Sequence, residues 1–233
     1  MQRTRTLARF ALPSLALAAT PAFAGLTLTS PLELSGTGLG AVNTVLTIHA
    51  NQNASFESGS VAVDPATNLK VLSGDALNGN SQTGLHTLGE LGISSASDLR
   101  VVFNAVEPGN ARDITLTDLV LTIYDTAGGV LFKSGSFTDT FLPNTLAGVG
   151  NSGYAFGLDA ADVTAAASLF TGSFADYRVG LSAEVTGFSG GPETFFVGSA
   201  QVLTPVPEPG TTALLLAGLG VLGFVAKRRS RIE

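Results

Sequence analysis

A change of phase inside one apolar stretch constrains the fold more than any other feature. Between residues 113 and 125 the chain reads DITLTDLVLTIYD. Ile114 and Leu116 share one parity, while Leu119, Leu121 and Ile123 share the other. Side chains of a strand alternate between its two faces, so a slip of one residue turns every later side chain to the opposite face. Both halves are rich in β-branched residues. That favours one strand with a β-bulge at Thr117 and Asp118 over two strands split by a turn.

The period of two recurs along the chain. Leu99, Val101, Phe103 and Ala105 fall on one face of a segment. Tyr177, Val179, Leu181, Ala183 and Val185 do the same, leaving Arg178, Ser182 and Glu184 outward. Val42, Thr44, Leu46 and Ile48 alternate, and residues 194–203 read as a final strand. DTAGG at 125–129 predicts a hairpin into a strand over 130–137. One segment is helical: in residues 158–170, Val163, Ala166, Ala167 and Phe170 recur at helical spacing. Asp159 is its expected N-cap, with Asp162 as the reciprocal member of a capping box. Many short strands and one short helix predict an all-β fold, an antiparallel β-sandwich or jelly-roll-like domain. No fixed-period repeat points to a propeller or β-helix.

The two ends are of different character. Arg3, Arg5 and Arg9 precede an apolar stretch, which ends in Ala22-Phe23-Ala24. A basic start, a short apolar centre and an A-x-A site predict a secretory signal peptide over residues 1–24, cut by signal peptidase after Ala24. The body, residues 25–204, is of a length for one domain with a real core, and no Pro/Ser-rich linker divides it. Over residues 25–208, five cations face seventeen carboxylates, a net charge of −12. Such a surface repels phosphate backbones, so nucleic acid is not an expected partner. The chain has no cysteine, which excludes disulfides, thiolate metal sites and acylated-cysteine anchors.

At the other end, residues 205–233 form a third unit. Val206-Pro207-Glu208-Pro209 is followed by residues 211–226 without a charge, then by Lys227, Arg228, Arg229 and Arg231. As a helix, 211–226 spans about 24 Å, against a hydrocarbon core of roughly 30 Å. Snorkelling cations and local thinning accommodate the difference. The span is apolar all round, and a cationic cluster follows it at once, so a transmembrane helix is expected with its C-terminus cytoplasmic. The prolines make an extended lead-in whose backbone is open to a peptidase. Together the three parts resemble the PEP-CTERM sorting signal of Gram-negative bacteria. The resemblance is confined to the tail. It implies processing by an exosortase at the inner membrane and delivery to the cell surface or an exopolysaccharide matrix.

Little in the body suggests chemistry. Gly148, Gly150 and Gly153 match G-x-G-x-x-G, but no helix is expected after them, so a dinucleotide loop is not. Asp75, Asn78 and Asn80 are the candidate oxygen donors for Ca²⁺, at a spacing unlike that of the calcium loop. Turn formation is the alternative reading of these three residues. His49 and His86 are the only imidazoles, and each lacks a neighbouring acid at metal-ligand spacing; His49 is expected to point outward. Trp is absent and Tyr occurs three times, which weakens a stacking platform for sugars. The fourteen Phe residues are expected in the core. No catalytic residue and no cofactor are expected. The leading expectation is a non-enzymatic surface or matrix protein, structural or adhesive in an exopolysaccharide or biofilm setting. A calcium-assisted polysaccharide-binding module and a secreted hydrolase are the alternatives.

Overall fold

The computed structural model describes residues 25–30, 43–50, 54–79, 81–104, 113–142, 153–188 and 191–200, together with Leu219. Within them two antiparallel sheets share one hydrophobic core. The first sheet runs, in spatial order, β1 (Leu26–Ser30), β10 (Tyr154–Leu158), β6 (Leu99–Asn104), β12 (Glu193–Ser199) and β2 (Thr44–Ile48). The second runs β4 (Lys70–Gly74), β3 (Phe56–Val63), β11 (Arg178–Thr186), β7 (Ile114–Tyr124) and β8 (Val130–Lys133). Two short strands complete it: β5 (His86–Thr87) pairs with β11, and β9 (Thr140–Leu142) with β7. The all-β expectation with one short helix stands.

The alternating residues supply the core. Val179, Leu181, Ala183 and Val185 of β11 are buried, as are Leu99, Val101 and Phe103 of β6. Phe103 stacks on Phe195 of the neighbouring strand at 4.8 Å between centroids. Phe156 is fully buried too, but Phe56 and Phe141 are exposed, so the phenylalanines are not all core. On β2 the expected alternation is lost, because Val45 and Thr47 are buried as well as Leu46 and Ile48. Thr47 exchanges hydrogen bonds with Thr83 and Gln82, which cover that sheet edge. Val42 and Ala105 lie outside the described residues. The final strand ends at Ser199, ahead of the expected 203.

The bulge is present. Glu184 pairs with Asp118 and Val185 with Leu116, so Thr117 is the extra residue on β7. Burial changes parity there: Ile114 and Leu116 are buried before it, and Leu119, Leu121 and Ile123 after it. The 125–129 hairpin also forms, with Asp125 Oδ1 accepting the amides of Ala127 and Gly129 at 2.8 Å each. Arg178 clamps that turn to the one after β3. It donates to the Asn68 carbonyl at 3.1 Å, to Asn68 Oδ1, and to the Asp125 carbonyl at 3.2 Å. Asn68 adopts φ 59°, a left-handed conformation that asparagine tolerates.

The helix is α1 (Ala160–Ala166), continued by a 3₁₀ turn over Ala167–Phe170. Asp159 caps it, accepting the Asp162 amide at 2.7 Å. The reciprocal half of the capping box is not made. The Asp162 carboxylate instead accepts the Gly135 amide at 2.9 Å, and the Asp159 amide donates to the Gly25 carbonyl. The shorter aspartate side chain, one methylene less than glutamate, is used for tertiary contact. Ala167, expected on the packed face, is exposed.

Candidate functional site

The segment with the clearest functional signature, residues 205–233, lies outside the described residues apart from Leu219. So do the expected signal peptide with Ala22 and Ala24, the Val206, Pro207, Glu208 and Pro209 motif, and the basic tail Lys227, Arg228, Arg229 and Arg231. Among the described residues no helix is long and apolar enough to cross a membrane. What the fold does define is where the chain enters and leaves the domain. Thr27, Gly157, Arg100 and Gly198 are successive cross-strand partners, one transverse row over four strands of the first sheet. Because neighbouring strands alternate in direction, β1 begins and β12 ends on the same side of that row. The domain is entered at Leu26 and left at Ser199 from one end.

Asp98 secures the exit. It closes the 3₁₀ turn Ala96–Asp98, which precedes β6. Its carboxylate accepts the Ser199 hydroxyl at 2.7 Å, and its carbonyl accepts the Ala200 amide at 2.8 Å. The Ser94 hydroxyl also reaches the same carboxylate oxygen, at 3.4 Å. Sequence reading missed this latch, since nothing local marks Asp98 as the partner of a serine 101 positions away.

The opposite end holds the acid that sequence reading overlooked. Glu57 shares the inward parity of Val61 and Val63 on β3 and is fully buried. Oε1 accepts the Ala50 amide at 2.9 Å and lies 3.8 Å from His49 Nδ1, while Oε2 has no hydrogen-bond partner. The expectation that neither histidine has an acid nearby is therefore corrected. His49, exposed as expected, has Glu57 beside it and its Nδ1 3.3 Å from the Gly191 carbonyl. His86 Nδ1 lies 3.7 Å from Glu90, one helical turn on in sequence, and its Nε2 is 3.1 Å from the Thr44 carbonyl. The His49 contact joins β3 to the end of β2 and could be found only in three dimensions. Glu193 of β12, on the facing sheet, is also fully buried.

Of the candidate calcium donors, Asp75 and Asn78 lie among the described residues. Asp75 is engaged with the backbone of β3: its carboxylate accepts the Ser58 amide at 3.1 Å, and its own amide donates to the Ser58 carbonyl. Asn80 lies outside the described residues, and Asn78 is exposed. No group of three or more His, Asp or Glu among the described residues could hold a metal. Gly148 and Gly150 lie outside the described residues, and after Gly153 comes strand β10, not the helix that a dinucleotide loop requires. A Cβ at Gly153 would collide with the Phe103 carbonyl oxygen, which explains that glycine by close approach of two strands.

Electrostatic shifts in the body follow packing. Burial raises the Asp118 carboxyl above its ordinary value, with Glu184 adding repulsion. Burial likewise raises Asp162. Asp64, in a turn, is lowered by the Ala66 amide and the Thr67 hydroxyl.

Comparison with known proteins adds one finding. Residues 205–229 match the model of the PEP-CTERM protein-sorting motif. No curated protein and no solved structure matches the chain. The match covers the tail alone, and a motif of this kind implies an exported protein whose membrane-anchored tail is processed by an exosortase.

Proposed function

We propose that this chain is a surface or extracellular-matrix protein with a non-enzymatic role, structural or adhesive in an exopolysaccharide setting. The sorting motif at 205–229 carries the reading, because it gives the chain an address outside the cytoplasm. The body suits that destination. It has no cysteine to oxidise, and it is held by packing and backbone pairing between two sheets. Its acidity favours solubility and disfavours nucleic acid. Neither imidazole is hydrogen-bonded to a serine among the described residues: His49 meets Glu57 and the Gly191 carbonyl, His86 meets Glu90 and the Thr44 carbonyl.

The order of events is export, removal of residues 1–24, retention by the tail in the inner membrane with the basic cluster inside, then exosortase processing and release to the surface. The test is fractionation of cells carrying the full chain or a chain ending before Val206. The full chain is expected in the surface and matrix fraction, bound to sedimented exopolysaccharide, and the shortened chain in the periplasm or medium. Equal distribution of the two would contradict the sorting role. Failure of the delivered protein to co-sediment with matrix, or turnover of a matrix polymer by it, would contradict the structural one.

A further inference from the structure

We infer that the domain stands on the membrane with one particular end inward, the end bearing Asp98 and the first turn of α1. This rests on the sorting reading, and it adds an orientation which the motif alone does not contain. The entry strand β1 and the exit strand β12 meet the same end of the first sheet, their row-mates Thr27 and Gly198 being three strand spacings apart. At about 4.8 Å per spacing the two crossings lie roughly 14 Å from each other. Both ends can thus be held at the bilayer, by the signal peptide and by the tail, while all five strands of the sheet are in register. A domain with its ends at opposite poles would have to release one of them first.

The entry limits how far the domain can turn, because Gly25 directly follows residues 1–24 and β1 starts one residue later, while the latch brings the exit to the same end. Ser199 and Ala200 are bound to Asp98 at the sheet's end, so the chain leaves the sheet there. From residue 200 to the start of the apolar run at 211, a fully extended chain covers at most about 40 Å. Pro205, Pro207 and Pro209 each fix φ, and a connection rich in proline is a semi-rigid spacer. The seven residues of β12 separate the two ends of the sheet by about 20 Å, a distance the exit connection could bridge but the direct entry at Gly25 could not. The inward surface is therefore the 3₁₀ turn at Ala96–Asp98 and the start of α1, and the outward surface is the end at His49 and Glu57. Exosortase meets the former. Any matrix partner meets the latter.

The absence of native cysteine makes a clean experiment possible. Ser97→Cys, exposed at the inward end, and Ser55→Cys, exposed at the outward end, each give the full chain a single thiol for a fluorophore. The uncleaved chain is placed in vesicles whose lipid headgroups carry a nitroxide quencher. The label at position 97 is expected to be quenched at least twofold more than that at 55, and both labels equally in detergent. Equal quenching in vesicles, or stronger quenching at 55, overturns the orientation while leaving the tail reading intact. A chain that does not float with the vesicles overturns the tail reading itself.

Discussion

Thr117 reaches across the bulge to Glu184: its hydroxyl lies 3.1 Å from the Glu184 carbonyl oxygen and 3.0 Å from Oε1 of the carboxylate. The extra residue of β7 is thus engaged by the very strand that it slips against, and the contact holds the two halves of β7 in opposite phase. Thr117→Val keeps the β-branched shape and removes both contacts. It is expected to cost about 1–2 kcal/mol. Urea unfolding should show a lower midpoint with an unchanged slope. Deleting Thr117 is a different matter, since Ile114 and Leu116 would turn outward and β9 would lose its register; the variant is expected not to fold.

Asp118, beside that bulge, ties stability to pH. Its folded-state carboxyl binds a proton more tightly than the ordinary value of 3.8, because burial penalises the charge and Glu184 repels it. Between that ordinary value and the raised one the folded state holds the extra proton, so this group's contribution falls as pH rises through the window. Asp118→Asn is expected to raise Tm at pH 7 and to leave it unchanged below about pH 3.8, as thermal scans across that range will show. Asp64 acts in the opposite sense. Its lowered value contributes stability above the ordinary value, and acidification removes it.

The bulge and the helix cap are legible in the sequence for one reason: each depends on residues close together in the chain. The parity change at Thr117 is visible in ten residues, and Asp159 stands directly before its helix. The sheet order is not legible. Parity says which side of a strand is buried but leaves open whether β6 lies beside β12 or beside another strand. Glu57 shows both halves of this. Its inward direction follows from the parity of Val61 and Val63, whereas the Ala50 amide that meets it arrives by way of the far end of β2. Asp162 shows a local rule overridden, its carboxylate taken by Gly135. The sorting motif at 205–229 is legible because it is a linear pattern of neighbouring residues.

Arg178 unites two turns through the Asn68 and Asp125 carbonyls. Arg178→Ala leaves both turns without a common donor and is expected to destabilise the domain by about 2–3 kcal/mol. Lysine carries the charge but not the planar fork, so Arg178→Lys should recover less than half of that loss. Chemical denaturation of the two variants side by side gives the comparison.

Asp159→Ala removes the side-chain acceptor from the first turn of α1. An N-cap of this type contributes about 1 kcal/mol. Asp159→Asn should retain most of it. Amide exchange at Asp162, whose N–H donates to the cap, is expected to quicken in the alanine variant well beyond exchange in β11.

The central claim is that both ends of the chain are transport signals around a domain that works outside the cytosol. The intact mass of the protein recovered from the cell surface or matrix tests it most directly. The expected mass begins at Gly25 and lacks the residues beyond the Val206 to Pro209 motif, including Lys227, Arg228, Arg229 and Arg231. A mass retaining Met1 and Glu233, or recovery of the chain only from the cytosol, would contradict it.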